Sequence, residues 1–336
     1  MTALRLGACL SLTGRYGRFG RQAAHGLRVW QRHAGDGVEL EIEDDHSEPE
    51  DFAARFRRVA SRCDVLLGPY STQLMREAAR AMSEIDALLW NHGGSGDDVQ
   101  ALCPGRIVSV PAPTSRYALP FVRERADDGA RVPLWVVRGR GRFGRQVAAG
   151  AVEQAGRAGI ETVEKRTGDG RLFDDVPEAW DLFSTGRFED DVAIVTAARS
   201  ARRPPRAICS IAAGVHDFVH ALDAVDGIYG IAQWLPGRAA EPDLGPAEAE
   251  FIGAYRELAG SAPDYPAVQA AAGAVLATHC VQTAQSTEPE ALWAVAAEMD
   301  TTTLFGGFRI DPSTGAQTKH TPALAQWRDG ELHRVA

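Results

Sequence analysis

Two short stretches carry the residue types that hold small polar molecules. Gly68-Pro69-Tyr70-Ser71-Thr72-Gln73 joins an apolar run to a helix-like one, and Trp90-Asn91-His92-Gly93-Gly94-Ser95-Gly96 closes the next apolar run. Ser71 or Thr72 is suited to cap a helix start. A helix start also turns free N–H groups and hydroxyls toward an oxygen of a bound molecule. Glycines such as Gly93 and Gly94 let a ligand approach the backbone closely. Tyr70, Ser71, Thr72, Asn91 and Ser95 thus make a polar set with an aromatic side, which is what a small polar ligand needs.

Other chemistries find less support. Gly139-x-Gly141-x-x-Gly144 matches a dinucleotide fingerprint by letter, with Glu161 and Glu164 further on, and a lone fingerprint is a weak signal. A second copy of its surroundings weakens it further. Residues 17–26 read GRFGRQAAHG and residues 141–150 read GRFGRQVAAG, with Arg15 standing where Gly139 stands in the second copy. A nucleotide-dependent enzyme using Gly139, Gly141 and Gly144 is kept as the alternative reading. His216 and His220 share a helix face without a third ligand, so no metal is expected. No G-x-S-x-G elbow is present, and no catalytic residue or cofactor is assigned.

The chain has 336 residues, with 36 basic against 45 acidic side chains and a net charge of −9. That balance argues against a nucleic-acid partner, whose phosphates need clustered Lys and Arg. No apolar run approaches the roughly 20 residues that span a bilayer. The opening residues lack the pattern of a secretory signal, so a cytoplasmic location is expected, with a periplasmic or extracellular one as the alternative if a leader was removed. Five scattered cysteines without a C-x-x-C pair read as free thiols.

The elements that must position these loops alternate. Apolar strand-like runs at 4–12, 38–43, 65–67, 87–90 and 107–110 are separated by helix-like runs at 22–34, 49–61 and 72–85. A helix at 115–125 precedes a restart with strands at 133–137, 160–165, 192–196 and 207–211 and helices at 145–158 and 215–225. Helices at 246–259, 267–283 and 289–299 follow, then β segments at 305–310 and 323–334 with an Asp329-Gly330 hairpin turn. Such βα repetition implies parallel sheets covered by helices. In an open α/β sheet, ligands bind beyond the C-terminal strand ends. The two copies of the repeat then make Phe19 and Phe143 matching walls of one cleft.

The order LSLTGRYGRFGRQAAHGL, EIEDDHSEPEDFAARF, LLGPYST, WVVRGRGRFGRQ, APDYPAVQAAAGAVLA and GGFRIDPSTGAQTKHTPALAQWRDGEL resembles the leucine/amide-binding branch of type I periplasmic binding proteins over essentially the whole chain. Within that family, residues 66–90, Ser109–Pro113 and Arg202–Pro205 most resemble the cytoplasmic amide sensor of an amidase operon. The resemblance implies an α/β fold of two Rossmann-like three-layer lobes joined by a multi-strand hinge. The implied lobes are 1–114 with 237–308, and 115–236 with 309–336, with the ligand cleft between them. It implies non-catalytic binding of an amide, carboxylate or amino-acid-like ligand, either as a sensor or for an ABC importer. The implied partners are the small molecule and a regulator protein or ABC permease, with a homodimer left open. The implied ligand residues are Phe19, Tyr70, Ser71 or Thr72, Asn91, Gly93, Gly94, Ser95, Phe143 and Ser210. Amino-acid binders of the family carry an acid after the strand that ends near Ser210; here Ser210-Ile211-Ala212-Ala213 has none. A neutral amide or a carboxylate is therefore expected over a free α-amino acid.

Overall fold

The computed structural model describes residues 3–129, 131–237 and 241–335. The chain folds into two compact units, Met1–Ala112 with Pro236–His320, and Pro113–Leu235 with Thr321–Ala336.

The first unit opens with β1 (Leu4–Leu10), α1 (Gly17–Ala34), β2 (Val38–Asp44), α2 (Pro49–Ala60), β3 (Val65–Leu67), α3 (Thr72–Ala81), β4 (Leu89–Asn91) and β5 (Ile107–Ser109). The second holds α4 (Leu119–Asp127), β6 (Leu134–Arg138), α5 (Gly141–Arg157), β7 (Thr162–Arg166), β8 (Asp181–Ser184), α6 (Phe188–Arg199), β9 (Ala207–Ser210) and β10 (Tyr229–Ala232). The chain returns to the first unit with α7 (Glu248–Ala259), α8 (Tyr265–Ala284), α9 (Pro289–Glu298) and the hairpin β11 (Thr301–Thr303)–β12 (Gly306–Phe308). It ends in the second unit with β13 (Ala323–Arg328) and β14 (Glu331–Arg334), whose turn at Asp329-Gly330 takes positive φ at both residues.

The first sheet is parallel in the order β2-β1-β3-β4-β5. The second contains the same order, β7-β6-β8-β9-β10, also parallel, and adds β13 and β14 antiparallel at one side. In each the connection reverses between the first and third strands, β1/β3 and β6/β8. Such switch points are where open α/β sheets leave a crevice. The inner strands are apolar because helices cover both faces: β3 is Val-Leu-Leu, fully buried. Helix α8 is buried from Pro266 to Thr278, as a helix apolar all round must be.

The two copies of GRFGRQ open α1 and α5 at the same residue, Gly17 and Gly141. Two glycines of the repeat serve packing in both copies. A Cβ on Gly20 would stand 2.0 Å from the Ser11 carbonyl oxygen, and one on Gly144 2.7 Å from that of Thr185. A turn and a half later, a Cβ on Gly26 would meet the Ala267 carbonyl at 2.1 Å and one on Gly150 the Ser115 carbonyl at 2.3 Å.

Several elements depart from the expectation. Residues 192–196 lie inside helix α6, not in a strand; three acids in its first turn, Glu189, Asp190 and Asp191, favour the positive end of the helix. The strand of that region is β8, just before it. Residues 215–225 form only a short 3₁₀ segment, His216–His220, and β10 and β11 were not anticipated. Residues 309–320 pack in the first unit, not the second. The reason is visible at Gln317, which is buried and joined by five hydrogen bonds. Its Nε2 donates to the Val110 and Gly307 carbonyls at 3.0 and 3.5 Å. Its Oε1 accepts from the backbone N–H groups of Arg309, Lys319 and His320 at 3.2, 2.9 and 3.2 Å. Ser109 N donates to Gly315 O at 2.9 Å beside it.

Gln317→Leu removes all five bonds and leaves the Val110 carbonyl and the His320 N–H buried without this partner. The expected cost is about 2–4 kcal/mol, read as a lower urea midpoint for the first unit. An unchanged midpoint refutes this role.

Candidate functional site

The site of the first unit begins at carboxylates that end β2. Asp44 accepts from Leu12 N, Thr13 N, Thr13 Oγ1 and His46 N at 2.9, 3.3, 2.7 and 2.9 Å. Burial works to raise its pKa, yet these donors together hold it below the ordinary carboxylate range. Buried Asp45 accepts from Ser11 Oγ and Ser47 N at 2.6 and 2.8 Å. Ser47 Oγ donates to Thr13 O and accepts from Tyr16 N. The loop from Ser11 to Tyr16 is thus nailed to the end of the neighbouring strand, and it launches α1 in one direction.

That direction delivers Phe19 onto Tyr70, with ring centroids 4.7 Å apart and planes 16° from parallel. Tyr16 lies 6.1 Å from Tyr70 on another side. Tyr265, in the first turn of α8, joins them: its centroid is 6.5 Å from both Phe19 and Tyr70, and the two tyrosine hydroxyls are hydrogen-bonded. The loops after β1 and β3, which flank the switch point, and the start of α8 therefore present one half-buried ring cluster. Tyr16 and Tyr265 were missed in the sequence. The Asp264-Tyr265-Pro266 helix start was the available signal, with Asp264 accepting from Tyr265 N at 3.2 Å.

Ser71 caps α3, its Oγ accepting from Leu74 N at 3.3 Å, and its own N–H donates to Gly93 O at 3.0 Å. It holds φ of +85°, a conformation L-residues rarely adopt, and such strain concentrates at functional positions. Its hydroxyl proton remains able to donate. Thr72 follows, mostly buried, and Ser95 is half-buried.

Other expected contacts are spent on the scaffold. Asn91 is fully buried; its amide accepts from Gly94 N at 2.8 Å and donates to Gly94 O and Ser109 Oγ at 2.6 and 2.9 Å. It shapes the turn instead of reaching a ligand. Gly93 and Gly94 are small because of protein neighbours. A Cβ on Gly93 would stand 2.4 Å from Pro69 O, and one on Gly94 2.4 Å from Met75 Cβ.

In the second unit Phe143 is half-buried, with Tyr117 edge-on at 5.8 Å. Ser210 is not an open polar contact. It is buried and donates to Asp191 Oδ2 at 2.9 Å. Asp191 also accepts from Ser184 Oγ at 2.5 Å, Ala212 N at 3.0 Å and Gly186 N. Burial pushes its carboxyl above the ordinary range, and the four donors pull against that without reversing it. The Gly139 loop is likewise occupied: Gly139 N donates to Thr185 Oγ1 at 3.3 Å, and a Cβ there would meet Gly186 Cα at 2.5 Å. Gly139 and Gly144 answer to packing, and Gly141, with open space around it, to a φ of +85°. Among the described residues no group of His, Cys, Asp and Glu is arranged to hold a metal, and no helix is long and apolar enough to cross a membrane.

His92, between Asn91 and Gly93, is fully buried against α8, where its Cβ lies 3.4 Å from a Cβ built on Gly273. Burial pushes its pKa down from 6.5 to about 4. The unfolded chain takes up a proton on His92 near pH 6.5, whereas the folded chain resists until about pH 4. The stability it leaves intact above pH 6.5 is lost as pH falls through that window, by about 3 kcal/mol. Urea unfolding at about pH 7.5 and pH 4.5 should show this loss in the native chain and a smaller one in His92→Phe. An equal loss in both assigns it to other groups.

The profile described as "Periplasmic binding protein" matches residues 3–331. Comparison with curated proteins gives no match. Among solved structures, a putative branched-chain amino acid ABC transporter from Rhodospirillum rubrum is 20% identical, with TM-score 0.76, covering 99% of this chain and 100% of that one. A leucine binding protein from Thermotoga maritima MSB8 is 16% identical, with TM-score 0.81 and coverages of 99% and 98%. A solute binding protein of an ABC transporter from Rhodopseudomonas palustris BisB5, in complex with 3,4-dihydroxy benzoic acid, is 17% identical, with TM-score 0.83 and coverages of 99% and 96%. At these identities the neighbours share the fold of two α/β units. The profile match over nearly the full length adds the lineage, and the chain belongs to the periplasmic binding protein family.

Proposed function

We propose that this chain binds a small organic solute bearing a carboxylate or amide, without changing it chemically, and presents it to the permease of an ABC importer. The observation that carries this reading is the Phe19–Tyr70–Tyr265 ring cluster beside Ser71 at the start of α3. The rings supply flat apolar contact, and the hydroxyl and helix start supply donors for an oxygen. Phe19, Tyr70, Ser71, Thr72, Ser95 and Phe143 are the proposed ligand contacts, with Tyr265 added and Asn91 and Ser210 given supporting roles. Relatives of the same fold are described in complex with 3,4-dihydroxy benzoic acid, 4-hydroxybenzoate and isoleucine.

The second unit favours an acid or amide over an amino acid. Residues 211–214 bring no carboxylate, and Asp191 is buried with four donors already on it. An α-ammonium held at residues 211–214 would find no carboxylate among them, and a buried cation without a partner is costly. The importer reading places the working protein outside the cytoplasm. Relatives are described as ABC transporter proteins or as an extracellular ligand-binding receptor, which supports the periplasmic or extracellular alternative over the cytoplasmic expectation. A regulator partner and a homodimer rest on resemblance alone.

A thermal-shift panel of benzoates, aliphatic carboxylates, amides, branched-chain amino acids and dinucleotides tests the reading, because a ligand of the native state raises Tm by mass action. At least one carboxylate or amide should raise Tm in proportion to its concentration, and dinucleotides should not. Phe19→Ala and Phe143→Ala should each weaken the best binder by about 1–3 kcal/mol through lost apolar burial, measured by calorimetry. A shift from dinucleotides alone refutes the reading.

A further inference from the structure

The loop that launches α1 carries a cation whose surroundings bear on ligand charge. Arg15 is exposed, and its guanidinium is held at two points. Its Cζ lies 4.4 Å from the centroid of the Tyr16 ring. It also donates to the side-chain carbonyl of Gln73, in the first turn of α3. Arg21, farther along α1, donates to the Leu12 carbonyl at 2.9 Å, and Arg18 Cζ lies 5.8 Å from the Phe19 centroid. Two guanidinium groups, of Arg15 and Arg18, therefore lie against rings of the cluster, and that of Arg21 is fixed on the loop before it.

What holds them matters more than their number. Arg15 and Arg21 are fixed by neutral oxygens, and among the described residues neither forms an ion pair. The nearby carboxylate of Asp44 is already spent on Leu12, Thr13 and His46. An acid at position 73 would have tethered Arg15 equally well and cancelled its charge. Glutamine tethers it and leaves the charge in place, beside the helix start that Ser71 caps. A guanidinium fixed in this way loses little further entropy on meeting a carboxylate. The whole chain carries −9, so its general field repels anions, and a local positive patch is what would admit one.

We infer that Arg15 is the charge-selecting residue of this site, making it take an anionic carboxylate on a flat or branched apolar body in preference to the matching neutral amide. This deepens the solute-binding reading and rests on it. Arg15 acts on the ligand's charge through space, with Gln73 as its positioning residue.

Two matched pairs test it by calorimetry at low and high salt: benzoate with benzamide, and 3-methylbutanoate with its amide. In the native chain at least one acid should bind about tenfold tighter than its amide, and salt should narrow that gap. Arg15→Gln should weaken the acid about tenfold, leave the amide within about twofold, and lose most of the salt dependence. Arg15→Lys should keep the preference for the acid. Equal affinities, a tighter amide, or an equal loss of acid and amide in Arg15→Gln overturns the charge selection and leaves solute binding standing. Absence of binding by all four probes overturns the inference. If the wider panel also fails, the solute-binding reading falls with it.

Discussion

Helix α1 lies so close to its neighbours that two of its residues have no room for a side chain. Gly20 sits against the end of β1 and Gly26 against the backbone of α8. Because both contacts involve backbone, they cannot yield as a flexible side chain would. They fix the helix along its length and around its axis. Phe19, adjacent to Gly20, then has one direction available, and Tyr265, two residues before Ala267, is drawn to the same place. The ring cluster is a consequence of where glycine lets α1 sit. The second unit repeats the device with Gly144 and Gly150, which explains why the longest internal repeat is rich in glycine without invoking phosphate binding.

The strand ends are held by buried or half-buried carboxylates that accept several donors each. Asp44 and Asp45 fasten the loop after β1, and Asp191 gathers the ends of β8 and β9 and the start of α6. Loops that leave a parallel sheet abandon their ladder partners, so backbone N–H groups near the ends need acceptors. A carboxylate offers several lone pairs and is suited to this. The polar residues of such loops are thus divided between holding the loop and meeting a ligand. Asn91 and Ser210 fall on the first side. Ser71 also holds its loop, capping α3 with its oxygen, and its hydroxyl proton is what the proposed ligand contact would use.

The alternation of strands and helices, the restart near residue 115 and the hairpin at Asp329-Gly330 were legible because they rest on local patterns of apolar residues and turn chemistry. The loops after β3 and β4 were legible for the same reason. The apolar run Val192-Ala193-Ile194-Val195 misled because a short buried run looks the same in a strand and in a helix. The acids just before it were the better signal. The attachment of residues 309–320 to the first unit was out of reach, since it depends on Gln317 reaching Val110 across more than half the chain.

The sequence by itself determined that two similar α/β halves exist, that each opens with the same helix, and that aromatic and hydroxyl residues stand at strand ends. These follow from neighbours within a few residues. Only the tertiary structure decided which of those polar groups are free. Whether an amide or hydroxyl faces a ligand or a backbone depends on partners distant in sequence, such as Ser109 for Asn91 and Asp191 for Ser210. It also brought Tyr265 to Phe19 and Tyr70, because a contact between residues so far apart is set by packing of whole helices and leaves no local mark.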